Sequence, residues 1–413
     1  MKSSIHVLGA GIVGISCALE LQRRGYRVTL IDRRGPGKEA SSGNAGLLSY
    51  SNITPLASPA LLPRLPKLMT NLDNDFRLHY PHLLQLMPWM LRFMWRCRRD
   101  VYLRDGAAMN DLTQASVALH RQWIDEFGAG SLAAHGGGLK LYRERRSFRR
   151  DALERELLQR CGVRYRLLDR RQIEELEPDL QRVFEQGVLI EDTISIRDPE
   201  ALCRSYAQAF VAAGGRLELD EARDLQPSGG GWELVTGRGR EQVEKLVICL
   251  GAATPDLLRP LGYPNPLAIE RGYHMILEPA AGKHLGRPIF DVDASYVMSP
   301  MAMGYRVSSG SNLVHAETRP DPRQLLRLLP RAREAFPLGR ELLSEPWMGR
   351  RPTLPDTLPI IGPAPRHSNL WLAFGHSHMG FTLGPISGLL IANFVDGSEH
   401  PFAVAPCDPR RYL

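Results

Sequence analysis

The stretch S-I-H-V-L-G-A-G-I-V-G-I-S-C-A-L-E-L-Q-R-R-G-Y-R-V-T-L-I-D, from Ser4 to Asp32, settles the kind of fold. It reads as strand, glycine turn, helix, strand and acid. Ile5 to Leu8 is a short apolar run with β-branched residues, the pattern of a buried parallel strand. Gly9, Gly11 and Gly14 follow at G-x-G-x-x-G spacing. The first glycine permits the tight turn, the second lets backbone approach a pyrophosphate, and the third lets the helix pack close to the sheet. The helix puts Ile12, Ile15 and Leu19 on one face and stops near Gly25. Its N-terminal amides and dipole suit phosphate oxygens. Tyr26 to Ile31 is a second strand, and Asp32 at its end is placed for an adenosine ribose hydroxyl. The glycine spacing alone fits an ordinary turn. With strand, helix and acid at these distances, it predicts a dinucleotide-binding unit.

The chain has 413 residues, enough for two domains. Its apolar content of 43% and charged content of 23% are those of an ordinary soluble globular enzyme. The net charge is +7, with basic residues grouped at Arg96, Arg98 and Arg99 and at Arg143, Arg145, Arg146, Arg149 and Arg150. Such groups read first as a solvated basic face, and second as a contact with anionic lipid or a partner subunit. No nucleic-acid-reading motif accompanies them, so nucleic acid is not an expected partner. The six cysteines include no C-x-x-C pair. That predicts no zinc or iron–sulfur site, no metal at all, and a reducing compartment such as the cytoplasm. Lys2 ahead of an apolar run imitates a signal peptide, but the glycine fingerprint inside that run predicts that it is kept. Residues 367–395 contain no Asp, Glu, Lys or Arg. Two histidines after the first residue, and repeated glycines, predict buried core with a site in it rather than a membrane span.

Small residues dominate Ala40 to Gly46, a composition suited to backbone lying against a flat ring or a phosphate. Pro55 to Pro66 reads as an irregular connection. Pro81 to Arg99, P-H-L-L-Q-L-M-P-W-M-L-R-F-M-W-R-C-R-R, has two readings. It can rest on a membrane surface, or it can pack Trp89, Met90 and Phe93 inside. Packing is favoured because Pro88 interrupts a long amphipathic helix. Helices are expected over 109–127, 147–161 and 169–178, and strands over 136–142 and 187–196, as a substrate-facing unit. Asp198-Pro199 supplies an N-cap and a proline at N1 for a helix with Leu202, Tyr206 and Phe210 inward. Strands follow at 216–219, 232–236 and 245–249, and Gly251 then allows close approach to a nucleotide on the first unit. Residues 271–277 and 296–309 read as strands of the second unit, and 324–336 as a basic helix.

From Gly349 the chain is informative again: G-R-R-P-T-L-P-D-T-L-P-I-I-G, then N-L-W-L-A-F-G-H-S-H-M-G-F-T-L-G-P-I-S-G-L-L-I-A-N-F-V-D-G. Strands are expected at 358–361 and 370–374. An apolar helix is expected over 383–395, with Gly384 and Gly388 allowing tight packing. Its N-terminus at Phe381-Thr382 offers unpaired amides and a positive dipole end.

Together these pieces resemble the FAD-dependent D-amino-acid dehydrogenases, within the wider group of D-amino-acid oxidase, glycine oxidase and sarcosine oxidase. The resemblance rests on the first fingerprint, S-S-G-N-A-G-L-L-S at Ser41 to Ser49, V-I-C-L-G-A at Val247 to Ala252, and the two C-terminal segments R-R-P-T-L-P-D-T-L-P-I-I-G and G-H-S-H-M-G-F-T. They run in family order over nearly the whole chain. The implied fold is α/β: a Rossmann-like FAD-binding domain of the glutathione-reductase type, plus a mixed-sheet α+β substrate domain. Residues 1–80, 190–262 and 345–413 are assigned to the first, and 81–189 and 263–344 to the second. The resemblance implies FAD, held noncovalently since no histidine matches a covalent attachment. Gly9, Gly11 and Gly14 would lie at the pyrophosphate, with Asp32 at the ribose. Asn44, Ala45, Gly46 and Leu47 would lie along the flavin, Arg33, Ser41 and Ser42 would also bind the cofactor, and Gly251 would lie near the nucleotide. Gly375, Gly380, Phe381 and Thr382 would edge the ring, where the helix end would stabilise negative charge on a reduced flavin.

The resemblance also implies that Arg351, the arginine of R-P-x-x-x-D, clamps the substrate carboxylate. A guanidinium makes two parallel charged hydrogen bonds and stays protonated. A structural salt bridge is the other reading, and Arg350 is an adjacent candidate. Tyr273 in R-G-Y-H either lines the substrate pocket or packs within its strand. His378 departs from the dehydrogenases, where small residues follow the first histidine, so it either shapes selectivity or bonds nearby backbone.

The implied reaction oxidises a small amino acid at Cα through its neutral amine. It gives an imino acid and then a 2-oxo acid and ammonia. A cyclic substrate such as D-proline or D-hydroxyproline would give a pyrroline carboxylate. The flavin carries the electron chemistry, so the protein must supply placement and electrostatics, and no acid–base residue is required. The electron acceptor is open between oxygen and a quinone or electron-transfer partner. Two other readings are a nicotinamide-dependent dehydrogenase, which has no need of the C-terminal segment, and a non-catalytic flavoprotein subunit of a membrane or multisubunit complex. The expected location is cytoplasmic, with a peripheral contact on the inner face of the membrane as an extension of the basic-face reading.

Overall fold

A computed structural model describes residues 2–64, 66, 70, 76–78, 83–314 and 318–413. The strand Ser4–Leu8, the helix Ile12–Arg23 and the strand Arg27–Asp32 form the unit read from the sequence, with the two strands parallel. Gly14 sets how closely the helix lies: a Cβ there would stand 1.8 Å from the Gly9 carbonyl oxygen.

Around this unit grows a six-stranded sheet in the order Arg216–Leu219, Arg27–Asp32, Ser4–Leu8, Lys245–Ile248, Leu370–Phe374 and Ile360–Pro363. Every neighbouring pair is parallel except the last. Parallel order brings together the carboxyl ends of strands far apart in sequence, where ligands of such sheets sit. The turn after Leu8, Gly251 and Gly375 therefore share one edge. A three-stranded meander, Asp224–Ser228, Gly231–Thr236 and Gly239–Val243, is a separate sheet whose Leu225, Trp232, Leu234 and Val243 pack in one core with Leu8, Leu246 and Ile248 of the first. The helix Gly380–Asp396 lies on the helix Ile12–Arg23, and a Cβ at Gly388 would reach within 2.4 Å of the Ser16 carbonyl oxygen.

A second, eleven-stranded mixed sheet is built on the twelve-residue strand Ala268–Pro279. It pairs antiparallel with Gly304–Ser309, Ser311–Val314, Leu338–Glu341 and Trp347–Thr353. A small third sheet joins Leu47–Leu48, Ile194–Ile196 and Ala133–His135, and so ties the loop after Asp32 to the second half of the chain.

Several expected elements are divided. Residues 296–309 form a hairpin, Tyr296–Met301 and Gly304–Ser309, with Gly304 at φ +136°. Residues 147–161 form two helices, Arg145–Arg150 and Ala152–Arg160. Residues 187–196 split into Gln186–Ile190 and Ile194–Ile196, which enter different sheets. The helix expected from Met109 begins at Arg99 and runs to Glu126. Its buried Met109, Leu112, Val117 and Trp123 join the core of the first sheet, although 81–189 was assigned to the substrate domain.

Pro88 does not end its helix, which spans Leu83–Arg96. The carbonyl that loses its donor belongs to Leu84, an exposed residue, so water can satisfy it. The packing reading is observed on one face of this helix, and the other face is exposed. Trp89 stacks on Phe93 at 5.0 Å and donates its Nε1–H to the Thr353 carbonyl at 3.1 Å. Leu84, Met87, Leu91 and Trp95 face out. Pro81 and His82 of this segment, and Leu65 of the connection before it, lie outside the described residues. Among the described residues no helix is long and apolar enough to cross a membrane. Among them, too, no group of three or more His, Cys, Asp or Glu side chains is arranged to hold a metal.

Candidate active site

One cavity of about 1380 Å³ is lined by the glycine turn at one end and by Arg351 and His378 at the other. At the turn, Gly9 has φ +100°, and a Cβ there would lie 2.6 Å from the Cys249 carbonyl oxygen. Only glycine fits. Gly11 is the N-cap of the helix Ile12–Arg23 and caps it with no side chain. A Cβ on Gly11 would meet just Ser41 Oγ, at 3.4 Å, so it would fill cavity rather than strike protein. Ser41 Oγ accepts the Ile12 N–H at 3.1 Å, leaving other first-turn amides for phosphate. Asp32 lines the cavity, and its carboxylate already accepts three backbone amides, from Ala10 at 2.8 Å, Arg34 at 2.7 Å and Gly35 at 2.9 Å. A carboxylate has about four acceptor positions, so one is left for a ribose hydroxyl. Arg33 is paired with Glu39 and Glu221.

The loop 40–47 forms the next part of the wall, through Asn44, Ala45 and Leu47. Arg306, buried in the second sheet, donates Nη1–H to the Ser42 and Asn44 carbonyls and fixes the loop. Burial pulls its pKa down to about 10, which still leaves it cationic at neutral pH. Gly251 and the first turn of the helix, Gly380 and Phe381, close this side. The helix begins three residues before the expected start, so Phe381 and Thr382 lie inside its first turn. His120 anchors that turn: its Nε2–H donates to the Phe381 carbonyl at 3.0 Å, and its Nδ1 accepts from Tyr206 OH at 2.9 Å. Burial lowers its pKa to about 4, so it is neutral.

Five residues expected at the cofactor stand behind the wall rather than on it. Gly14 is consumed by helix packing. Ser42 contributes its carbonyl to Arg306. Gly46, at φ +73°, and Gly375, at φ +77°, make turns in which a Cβ would strike Ile196 and Leu354 respectively. Thr382 donates to the Leu47 carbonyl at 3.1 Å and accepts from Asn52 Nδ2 at 2.9 Å, holding the loop to the helix.

The far end is set by register between two antiparallel strands. Glu270 stands opposite Arg351, Gly272 opposite Gly349, and His274 opposite Trp347. Arg351 Nη1 donates to Glu270 Oε1 at 2.7 Å. Ser311 Oγ donates to the same oxygen at 2.6 Å, and Thr353 Oγ1 to Oε2 at 3.0 Å. Burial raises the Glu270 pKa, but Arg351 and Ser311 outweigh it and hold the carboxyl below its ordinary value. Gly272 makes room for the pair, since a Cβ there would stand 2.5 Å from Arg351 Nη2. Trp347 stacks on His274 with centroids 4.7 Å apart and covers Gly43 of the loop.

Strand alternation sends Tyr273 and Arg350 to the opposite face. Tyr273 borders the cavity, but its side chain is 2% exposed and packs in the core behind the sheet. Its hydroxyl accepts the Asp321 N–H at 2.8 Å, so the packed reading of this residue is the one observed. His376 is tied to Ser387 Oγ at 2.9 Å, and burial lowers its pKa to about 3. His378 lines the cavity with its Nδ1 buried and without a hydrogen-bond partner. The sequence reading missed Glu270, Trp347, Arg306 and Ser311. The signal for Glu270 was present: an acid inside the apolar strand A-I-E-R-G-Y-H-M-I-L requires a buried partner.

A glycine cradle at a helix N-terminus, an acid at the second strand end and a long cavity leading to a charged pocket define a dinucleotide-dependent oxidoreductase. Residues 4–394 match the DAO family, described as FAD dependent oxidoreductase, and the chain belongs to that family. It is 30% identical over 421 residues to a D-amino-acid oxidase of Bradyrhizobium diazoefficiens, covering 99% of each chain. It is 31% identical to a D-amino acid dehydrogenase 2 of Ralstonia nicotianae, covering 97% of this chain and 98% of that one. Its fold matches glycine oxidase from Geobacillus kaustophilus with a TM-score of 0.76 at 22% identity, each chain covered in full. The cofactor is FAD. The cradle fits it: Gly11 leaves room where a Cβ would intrude, and of the first-turn amides the Ile12 N–H is taken by Ser41 while the N-cap itself adds no side-chain bond.

Proposed function

We propose that this enzyme oxidises a small D-amino acid at Cα, giving an imino acid that water converts to a 2-oxo acid and ammonia. Arg351 carries the reading. One guanidinium nitrogen is held by Glu270, and the side chain, 28% exposed, keeps an open edge at the cavity for a second carboxylate. Bound there, a substrate is fixed at its carboxylate and its Cα is presented to the cofactor side. FAD, when bound, supplies the two-electron acceptor. The loop 40–47 and the turn of Gly380 and Phe381 set the distance and exclude water. The names of the relatives support an amino acid and favour the D series, with D-proline and D-hydroxyproline included as cyclic candidates. In this reading residues 1–80, 190–262 and 345–413 hold FAD, while the second sheet, together with Arg351, holds the substrate.

The acceptor we assign is a quinone or an electron-transfer partner, with peripheral contact to a membrane. Support comes from the outward stripe of Leu84, Met87, Leu91 and Trp95 beside the exposed cations Arg92 and Arg98.

The test is anaerobic bleaching of flavin absorbance with a panel of D- and L-amino acids. Bleaching by D-substrates alone supports the reading. A flavin that no member of the panel reduces would overturn it in favour of a subunit role or another amine. Hydrogen peroxide formed at the rate of turnover in air would make the enzyme an oxidase.

A further inference from the structure

Resting on that reading, we propose that His378 is the base that takes the proton from the substrate ammonium, and that the Glu270–Arg351 pair makes substrate binding the trigger. An amino acid in solution is a zwitterion. Its protonated nitrogen has no lone pair to support loss of hydride from Cα. Entry of the rare neutral-amine form would add one uncompensated negative charge to a buried site, because Glu270 already offsets Arg351. Entry of the zwitterion adds none. The proton therefore arrives with the substrate and must pass to a group inside.

The groups at this end of the cavity narrow the choice. Glu270 is committed to Arg351, Ser311 and Thr353. His376 is tied to Ser387, and His274 lies against Trp347, its pKa lowered to about 3 by burial and by Arg306. The Tyr273 hydroxyl is behind the sheet. His378 has a ring nitrogen, Nδ1, with no partner, and among these histidines it is the one set against both Arg351 and Glu270. Backbone geometry puts it there. Thr353 and His376 form a bridge, Ser377 N–H donates to the Pro352 carbonyl at 3.1 Å, and Ser377 turns the chain through φ +52°. The residue after that turn comes up beside Arg351 and Glu270, the two charged groups that act on it.

Charge then explains the trigger. In the empty site burial and Arg351 keep His378 neutral, against the pull of Glu270. A substrate carboxylate on Arg351 cancels the opposing charge. The ammonium N–H bond breaks, its electron pair stays on the substrate nitrogen, and the proton forms an N–H bond on the His378 imidazole. Nothing is oxidised in this step. Carboxylate, guanidinium, Glu270 and imidazolium then sum to zero, as they did before transfer.

Two measurements test it. The first follows kcat/KM against pH for the wild type and His378→Gln. The wild type loses activity only below the ordinary histidine range. The variant should be about a hundredfold slower at pH 7. Its rate should climb with pH toward the substrate's own ammonium pKa and rejoin the wild type where the amine is already neutral. The second needs no turnover. Acetate, a carboxylate without an ammonium, is titrated into the FAD-loaded wild type in two buffers of different protonation enthalpy. Binding should draw in about one proton near neutral pH. His378→Gln should bind acetate without that uptake. Superimposable pH profiles, or acetate binding with no proton uptake by the wild type, would overturn the assignment. Failure of every amino acid to reduce the flavin would strike the reading above instead, and leave the acetate result to judge this one.

Discussion

Arg351 is paired with buried Glu270, and in the proposed reading it also receives the substrate carboxylate; substitutions separate the two roles. Arg351→Ala removes the clamp and strands Glu270 without its cation, so kcat/KM should fall by roughly a hundredfold or more while stability falls too. Arg351→Lys keeps a charge beside Glu270 but loses the planar fork. Its Tm should therefore lie near the wild type while kcat/KM still drops. A lysine variant with wild-type kcat/KM would remove Arg351 from substrate binding. Arg306 acts one layer back, through two carbonyls of the loop 40–47. Charged hydrogen bonds of this kind contribute about 1.5–3 kcal/mol each. Arg306→Met should weaken FAD affinity by about tenfold or more, read as flavin lost on gel filtration, with the fold retained in circular dichroism.

The helix Gly380–Asp396 is held at both ends by other parts of the chain. Near its start, Gly384 and Gly388 let it touch the helix Ile12–Arg23. Gly388→Ala should cost about 1–3 kcal/mol, because the added methyl meets backbone that cannot move aside. Its last residue, Asp396, sits at the helix C-terminus, where the dipole disfavours a carboxylate. Lys2 Nζ at 2.8 Å, Tyr26 OH at 2.5 Å and Arg24 Nη1 at 3.0 Å compensate. Burial pushes this carboxyl up, but those donors prevail and hold its pKa at about 2. A folded pKa below the unfolded value of about 3.9 stabilises the fold above that value and loses the contribution as pH falls toward 2. Asp396→Asn should thus have a lower Tm than the wild type at pH 6, and the difference should close between about pH 4 and pH 2. A gap that persisted at pH 2 would mean the carboxylate charge contributes nothing.

At the scale of the whole molecule, the helix Leu83–Arg96 presents an apolar stripe to solvent, with Leu84 84% exposed, Leu91 63% and Trp95 55%. Arg98 lies over the Trp95 ring at 4.3 Å, so cation and aromatic sit together at one end of the stripe. A bilayer carrying negative headgroups fits both features. The wild type should co-sediment with anionic vesicles and release at high salt, whereas Leu84→Glu with Leu91→Glu should stay in the supernatant with flavin reduction unchanged. Equal sedimentation of the two proteins would dismiss the membrane contact.

Much of this protein was legible from residue order because its requirements are local. Gly9 and Gly14 answer to backbone conformation and to the packing of one turn, and both were readable from their spacing together with the strand, helix and acid that flank them. Arg351 was singled out through the family resemblance of its segment, and its substrate role remains our proposal. Other features depend on which strands meet, and in what register. Tyr273 and Glu270 lie in the same strand, three residues apart, and alternation sends one into the core and the other into the site. Nothing in the strand itself says which face is which. That is fixed by pairing with Trp347–Thr353, a segment distant in sequence. The long helix Arg99–Glu126 likewise joins the first sheet because the helix Gly380–Asp396 offers it Phe381 and Thr382 carbonyls for His120 and Ser116. Sequence by itself determined the FAD cradle, since backbone conformation is set within a few residues. Only the tertiary structure decided the charged pocket, since a buried ion pair exists only where two separate strands bring its halves within hydrogen-bond reach.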